Sequence, residues 1–256
     1  MISRQPPAAA RPRLDTPNPD LKMNLELDEL NRQHRGPDTR TLSATDGGSK
    51  VLHKKWRVAA WAARCASGLT IGTAVPGADQ TAGMAEVWAL YEIVTAASAA
   101  KVCNLTVAID NLNVQRRACA ISKGQQILPR FGFKIWNAIR HHINLIPGFE
   151  AAWIPSHGKQ LDWTPPHTRC GDTQAWRTAN EFADGKCTTI INQVTQLHKA
   201  RCKEIEKAEI WASLCMHQTA ENLKQLEKHK IHPKDRHRTS AHAEAVGESA
   251  ARGDSQ

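Results

Sequence analysis

The run Leu105-Thr106-Val107-Ala108-Ile109 constrains the fold of this chain more than any other segment. It is apolar and β-branched, carries no charge, and reads as a central strand of a helix-covered sheet. Upstream, Thr41 to Thr45 reads as a short strand closed by an Asp46-Gly47-Gly48 turn. Trp56 to Ala66 and Leu69 to Val75 read as a hairpin about Ser67-Gly68, ended by Pro76-Gly77. Between these strands and the central run, Gln80 to Ala100 places Ala82, Ala85, Ala89 and Ile93 at helical spacing. Downstream come short helices over Val114 to Ile121 and Lys134 to Ile146, the second stopped by Pro147-Gly148. Phe149 to Pro155 reads as the last strand, and Trp176 to Leu226 as helical through Ile190, Val194, Leu197, Ile205, Leu214 and Leu223. A helical run this long is expected to break or to leave the domain as an arm. Three strands, a helix, a strand, two helices, a strand and a helix imply an α/β fold. Its mixed five-stranded sheet has helices on both faces, with a C-terminal helical extension.

The chain has 256 residues, enough for one well-buried domain with tails. Residues 1–38 are rich in Pro, Arg, Asp and Asn and read as a disordered tail, as do residues 232–256. The expected domain spans 39–198 and a helical arm 199–231, whose apolar spacing suits a helical partner. A net charge of +9 favours a polyanionic partner, since Lys and Arg displace the counterions of nucleic acid. Seven cysteines without a C-x-x-C pair argue against a zinc ribbon or a disulfide framework and fit an intracellular protein, nuclear or cytoplasmic. Glu86, Glu92 and Lys101 interrupt the most apolar stretch, so no membrane span is expected.

Four acidic residues sit where charge is costly. Asp46 ends the first strand on the face of Leu42 and Ala44. Asp110 ends the central strand, Glu86 lies beside the apolar stripe of the first long helix, and Asp184 is on the first turns of the last helical region. Carboxylates next to buried stripes need cations. Mg²⁺ prefers carboxylate oxygens, and two such ions about 3.5–4 Å apart activate water and stabilise the leaving oxygen of an in-line displacement. Each position also has a plain structural reading: a turn at Asp46-Gly47, a helix cap at Asp110-Asn111, solvated helix residues at Glu86 and Asp184.

The order of these residues resembles the type 1 ribonucleases H. Ala44-Thr45-Asp46-Gly47-Gly48-Ser49 resembles the family's first motif, with one Gly added. Gln80-Thr81 followed by Ala85-Glu86 and Ala89-Leu90 resembles the second, and Val107-Ala108-Ile109-Asp110-Asn111 the third. Trp153-Ile154-Pro155-Ser156-His157-Gly158 is similar to the strand and loop carrying a mobile histidine, and Asn180-Glu181-Phe182-Ala183-Asp184 to the closing helix motif. The resemblance spans about residues 40 to 195.

It implies that Asp46, Glu86, Asp110 and Asp184 hold two ions, Mg²⁺ or Mn²⁺, when substrate is bound. It implies His157 as a loop residue assisting proton transfer or product release, and Gly47, Gly48, Ser49 and Asn111 as substrate contacts. The implied activity is endonucleolytic hydrolysis of the RNA strand of RNA–DNA hybrids, in a standalone enzyme or one of retrotransposon origin. Alternatives are another metal nuclease or a strand-transfer enzyme on the same fold, or an inactive nucleic-acid-binding module. The Gly158 to Trp176 stretch is longer than usual in the family and offers His167 as a rival histidine. Lys134, Arg140, His141 and His142 mark a basic face suited to a phosphate backbone.

Overall fold

The computed structural model of the chain describes residues 16–53, 56–127, 132–156 and 160–228. By its packing the chain divides into two compact units, Met1–Ala200 and Arg201–Gln256. The described elements are α1 (Pro19–Arg35), β1 (Thr41–His53), β2 (Trp56–Arg64), β3 (Thr70–Ala74), α2 (Ala82–Ala99), β4 (Leu105–Ile109), α3 (Leu112–Ser122), α4 (Phe133–Asn144), β5 (Glu150–Trp153) and α5 (Thr173–Lys228). The strands form one sheet in the order β3-β2-β1-β4-β5. The β1–β2 and β2–β3 pairs are antiparallel, whereas β1–β4 and β4–β5 are parallel. This is the expected α/β architecture.

Strand alternation separates two apolar faces. Leu105, Val107 and Ile109 of β4 join Ala59, Trp61 and Ala63 of β2 in the larger cluster, under α1, α2, α3 and α4. Ala44 and Ala108 meet Trp176 and Ala183 of α5 on the opposite face, and Ala60 and Ala62 meet Cys187 and Ile190. Small residues dominate that second face, which lets α5 lie close to the sheet.

Two sequence expectations need correction. The first concerns β1, which does not turn at Asp46-Gly47-Gly48 but runs through them, pairing Asp46 with Ala62, Gly47 with Trp61 and Gly48 with Ala60. Both glycines are there for packing. A Cβ at Gly47 would fall on the backbone nitrogen of Glu86 and lie 2.5 Å from the Ala85 carbonyl carbon, while one at Gly48 would lie 2.8 Å from Ile191 Cδ1. The second concerns residues 19–35, expected within a disordered tail. They form α1, whose Leu21 and Leu25 are completely buried one turn apart. Asn18 Oδ1 accepts from the amides of Asp20 and Leu21, each at 3.1 Å, and Pro19 takes the first helical position. Glu29 and Arg32, both buried, pair at 2.7 Å, and Glu29 also accepts from the Cys103 amide at 3.2 Å. Burying two leucines contributes about 2–3 kcal/mol each, enough to hold a helix that local propensity alone would not. Of the two outcomes expected for the last helical run, the unbroken one holds, since α5 is continuous from Thr173 to Lys228. In the second unit its Ile210, Trp211, Leu214, Met216, Leu223 and Leu226 are exposed. The tails expected at 1–15 and 232–256 lie outside the described residues.

Candidate metal centre

Parallel register brings the first two carboxylates together. Thr45 of β1 stands beside Ile109 of β4, so the next step along both strands sets Asp46 next to Asp110. Helix α2 supplies the third. Its start is fixed by Gln80, whose Oε1 accepts from the Ala59 amide at 2.8 Å while Nε2 donates to the Val75 and Gly77 carbonyls at 2.8 and 2.9 Å. Thr81 caps the helix, accepting from the Met84 amide at 3.2 Å. Glu86 then follows on the second turn, with its backbone against Gly47. The Gln-Thr pair of the motif is thus the device that aims Glu86.

Asp46, Glu86 and Asp110 each present an oxygen within 4.8 Å of the other two, and they form the metal-capable cluster found among the described residues. Asp46 and Glu86 are buried and Asp110 is half-buried. Burial, then the charges of Asp110 and Asp46, raise Glu86 well above the usual carboxylate range, and the Gly47 amide only partly offsets them. Glu86 Oε2 is buried with no hydrogen-bond partner among the described residues. An orphaned buried oxygen among three convergent carboxylates fits a hard divalent cation, whose ligands are oxygens. Asp184 is half-buried on α5, beside Ala183, which packs on the sheet, and it stands outside the cluster.

Two further residues, given no role by sequence reasoning, touch Asp110 and Asp46. Trp153 Nε1 donates to the Asp110 main-chain carbonyl at 3.2 Å. Cys187, buried on α5, donates to the Ala60 carbonyl at 3.2 Å and also contacts Asp46. Burial and the charge of Asp46 push the thiol up, so the sulfur keeps its proton and acts as a donor.

The other expected contacts are placed as follows. Asn111 caps α3, its Oδ1 accepting from the Asn113 and Val114 amides at 3.1 and 3.3 Å, and Ser49 is half-buried in β1 three residues beyond Asp46. His157 lies outside the described residues. His167 is not near the cluster: its Nε2 meets Glu150 at 2.9 Å, and its ring lies edge-on to Trp176. Glu150 pairs with Thr106, four residues before Asp110, or roughly 13 Å along the strand. Arg40 completes that anchor, with Nε 2.6 Å from Thr106 Oγ1 and 3.4 Å from Glu150. Arg177 ties the same loop down through the Gln160 and Leu161 carbonyls, both at 2.9 Å. Of the basic face on α4, His142 is engaged with Ser98 at 2.7 Å, and Arg140 donates to the Ile127 carbonyl, while Lys134 and His141 are exposed.

A sheet in this order, with carboxylates delivered by β1, α2 and the end of β4, defines a ribonuclease H-like fold. No family model and no curated protein matches the chain. Among solved structures it is similar to the RNase H domain of prototype foamy virus, at 16% identity and a TM-score of 0.45 over 60% of this chain and 94% of that one. It is similar to RNase H1 of the halophilic archaeon Halobacterium salinarum, at 15% identity and a TM-score of 0.40 over 60% and 98%. It is also similar to the protease-reverse transcriptase of prototype foamy virus, at 16% identity and a TM-score of 0.44, where 59% of this chain spans only 21% of the viral one. No helix among the described residues is long and apolar enough to cross a membrane.

Proposed function

We propose that this chain is a divalent-metal-dependent endonuclease that hydrolyses the RNA strand of RNA–DNA hybrids. The observation that carries the reading is the convergence of Asp46, Glu86 and Asp110 within 4.8 Å, with Glu86 Oε2 buried and without a hydrogen-bond partner among the described residues. Asp46, Glu86 and Asp110, with Asp184 from α5, would hold Mg²⁺ or Mn²⁺, two ions when substrate is bound. Bound there, the ions lower the pKa of water and stabilise charge on the leaving oxygen. The chain's own part is to orient those carboxylates and to keep water from Glu86. His157 is the candidate for moving a proton to or from the reacting groups. The backbone of Gly47 and Gly48, with Ser49 and Asn111, would read the 2′-hydroxyl that distinguishes RNA from DNA. The net charge of +9 suits a phosphate backbone as partner.

The test presents one sequence as RNA–DNA hybrid, duplex DNA and duplex RNA, with Mg²⁺ and with EDTA. Cutting confined to the RNA strand of the hybrid, abolished by EDTA and by Asp46→Asn, is expected. Preferred cutting of duplex DNA would instead indicate strand-transfer chemistry. Binding without any cutting would indicate an inactive nucleic-acid-binding module.

A further inference from the structure

Cys187 stands where three features of the site meet. Its side chain is 1% exposed, and its thiol reaches the Ala60 carbonyl at 3.2 Å. Ala60 is paired across the β1–β2 ladder with Gly48, and Ala62, two residues on, with Asp46. The sulfur therefore lies over the stretch of β2 that backs Asp46. It gets there because position 48 has no side chain: a Cβ at Gly48 would stand 3.3 Å from Sγ. From this seat the thiol hydrogen-bonds with the Asp46 carboxylate. Across the cluster, Glu86 Oε2 is buried without a hydrogen-bond partner among the described residues, and for the three carboxylates to share one ion Asp46 must point toward it.

We propose that Cys187 is a positioning residue for the metal centre, its one S–H, seated at the Ala60 carbonyl and shared with Asp46, holding the Asp46 carboxylate toward Glu86 and Asp110. The inference rests on the reading of the cluster as a divalent-metal site. Alanine at 187 removes the donor and opens space beside the carboxylate, which then samples orientations that do not converge. A partner that orients a ligand in this way typically carries about 10–100-fold of metal affinity. Serine keeps a donor at nearly the same place, and valine fills the volume without one.

Mn²⁺ alone is titrated into the full-length protein and its Cys187→Ala, Cys187→Ser and Cys187→Val variants, with free ion read by electron paramagnetic resonance and melting recorded alongside. Affinity is expected to fall about 10–100-fold in the alanine and valine variants and to stay within a few-fold of wild type in the serine variant. If alanine prevents folding, the valine and serine pair decides between a lost donor and lost volume. Equal affinities in all four proteins, or an equal loss in serine and valine, would overturn the positioning role and leave the metal site standing. Absence of Mn²⁺ binding by wild type would overturn the metal site as well. Binding by wild type without hybrid cleavage would remove the nuclease reading while the affinities still decide the role of Cys187.

Discussion

Replacing Gly47 with alanine should be among the costliest single-methyl additions this chain can receive. The new Cβ would overlap the Glu86 amide nitrogen and lie 2.5 Å from the Ala85 carbonyl carbon and 2.8 Å from Glu86 Cα, against an ordinary contact of 3.4–4 Å. All three obstacles are helix backbone, so no rotamer relieves them. Strand β1 and helix α2 must part by about 1 Å, and a gap of that size forfeits a quarter to a half of each affected dispersion contact. Overpacking costs about 1–3 kcal/mol where side chains can adjust, so about 3 kcal/mol or more is expected here. That is a large share of a typical domain stability, and a fall of roughly 6–12 °C in Tm for a unit of this size. Gly48→Ala supplies the internal control, because its obstacles, Ile191 Cδ1 at 2.8 Å and Cys187 Sγ at 3.3 Å, are ends of side chains. It should cost about 1 kcal/mol. Urea denaturation followed by circular dichroism gives both values. A Gly47→Ala protein within about 0.5 kcal/mol of wild type, or a Gly48→Ala protein that is the weaker of the two, would refute the argument.

Five other outcomes follow from particular contacts. Burial raises Asp28 to about 6, with hydrogen bonds from Ser67 and Ala66 only partly opposing it; its stabilising contribution is therefore greatest below pH 4 and is lost as pH rises to 6, by about 3 kcal/mol. Stability curves of wild type and Asp28→Asn should diverge by that amount over the interval, and parallel curves would contradict it. Trp153→Phe removes the indole donor to the Asp110 carbonyl, so single-turnover cleavage should slow several-fold while stability falls by only about 1 kcal/mol. His167→Ala should lower the melting temperature yet leave the cleavage rate unchanged, since His167 is tied to Glu150 away from the cluster; a rate loss without destabilisation would restore it as the proton-transfer candidate. Leu25→Ala should cost about 2–5 kcal/mol by denaturant titration, because Leu25 is completely buried, and a shortened chain beginning at residue 39 should be strongly destabilised rather than intact.

The mixed five-stranded sheet was legible because the uncharged run of β4 and the helix pattern of α2 leave few other arrangements. Asp46, Glu86 and Asp110 were legible because each closes or flanks an apolar pattern. Locally ambiguous features were read less well. Asp46-Gly47-Gly48 has the chemistry of a turn, and only the pressure of α2 on one side and α5 on the other explains glycines in a continuing strand. Helix α1 hid because Met23, Leu27 and Leu30 are exposed and blur the stripe made by Leu21 and Leu25; Asn18-Pro19 was the cap signal that could have revealed it. Cys187 fits a helical stripe as a small apolar residue, and nothing in its neighbours in sequence foretells a contact with Asp46. The donation from Trp153 to a main-chain carbonyl has no sequence signature at all.

The three clustered carboxylates bear on the chain's history. Were all three ionised, like charges within 4.8 Å would repel by about 3.5 kcal/mol or more per pair at an effective dielectric constant near 20, a burden that raising Glu86 relieves in part. A cation cancels that burden, and so does an amide. Aspartate becomes asparagine, and glutamate becomes glutamine, by a single base change in the codon. A lineage that no longer used the centre would find such replacements both accessible and stabilising, since relieving a functional site commonly raises stability. In this chain positions 46, 86 and 110 are nonetheless all acids. Kept as acids, the three leave the fold a standing cost that a bound cation would relieve.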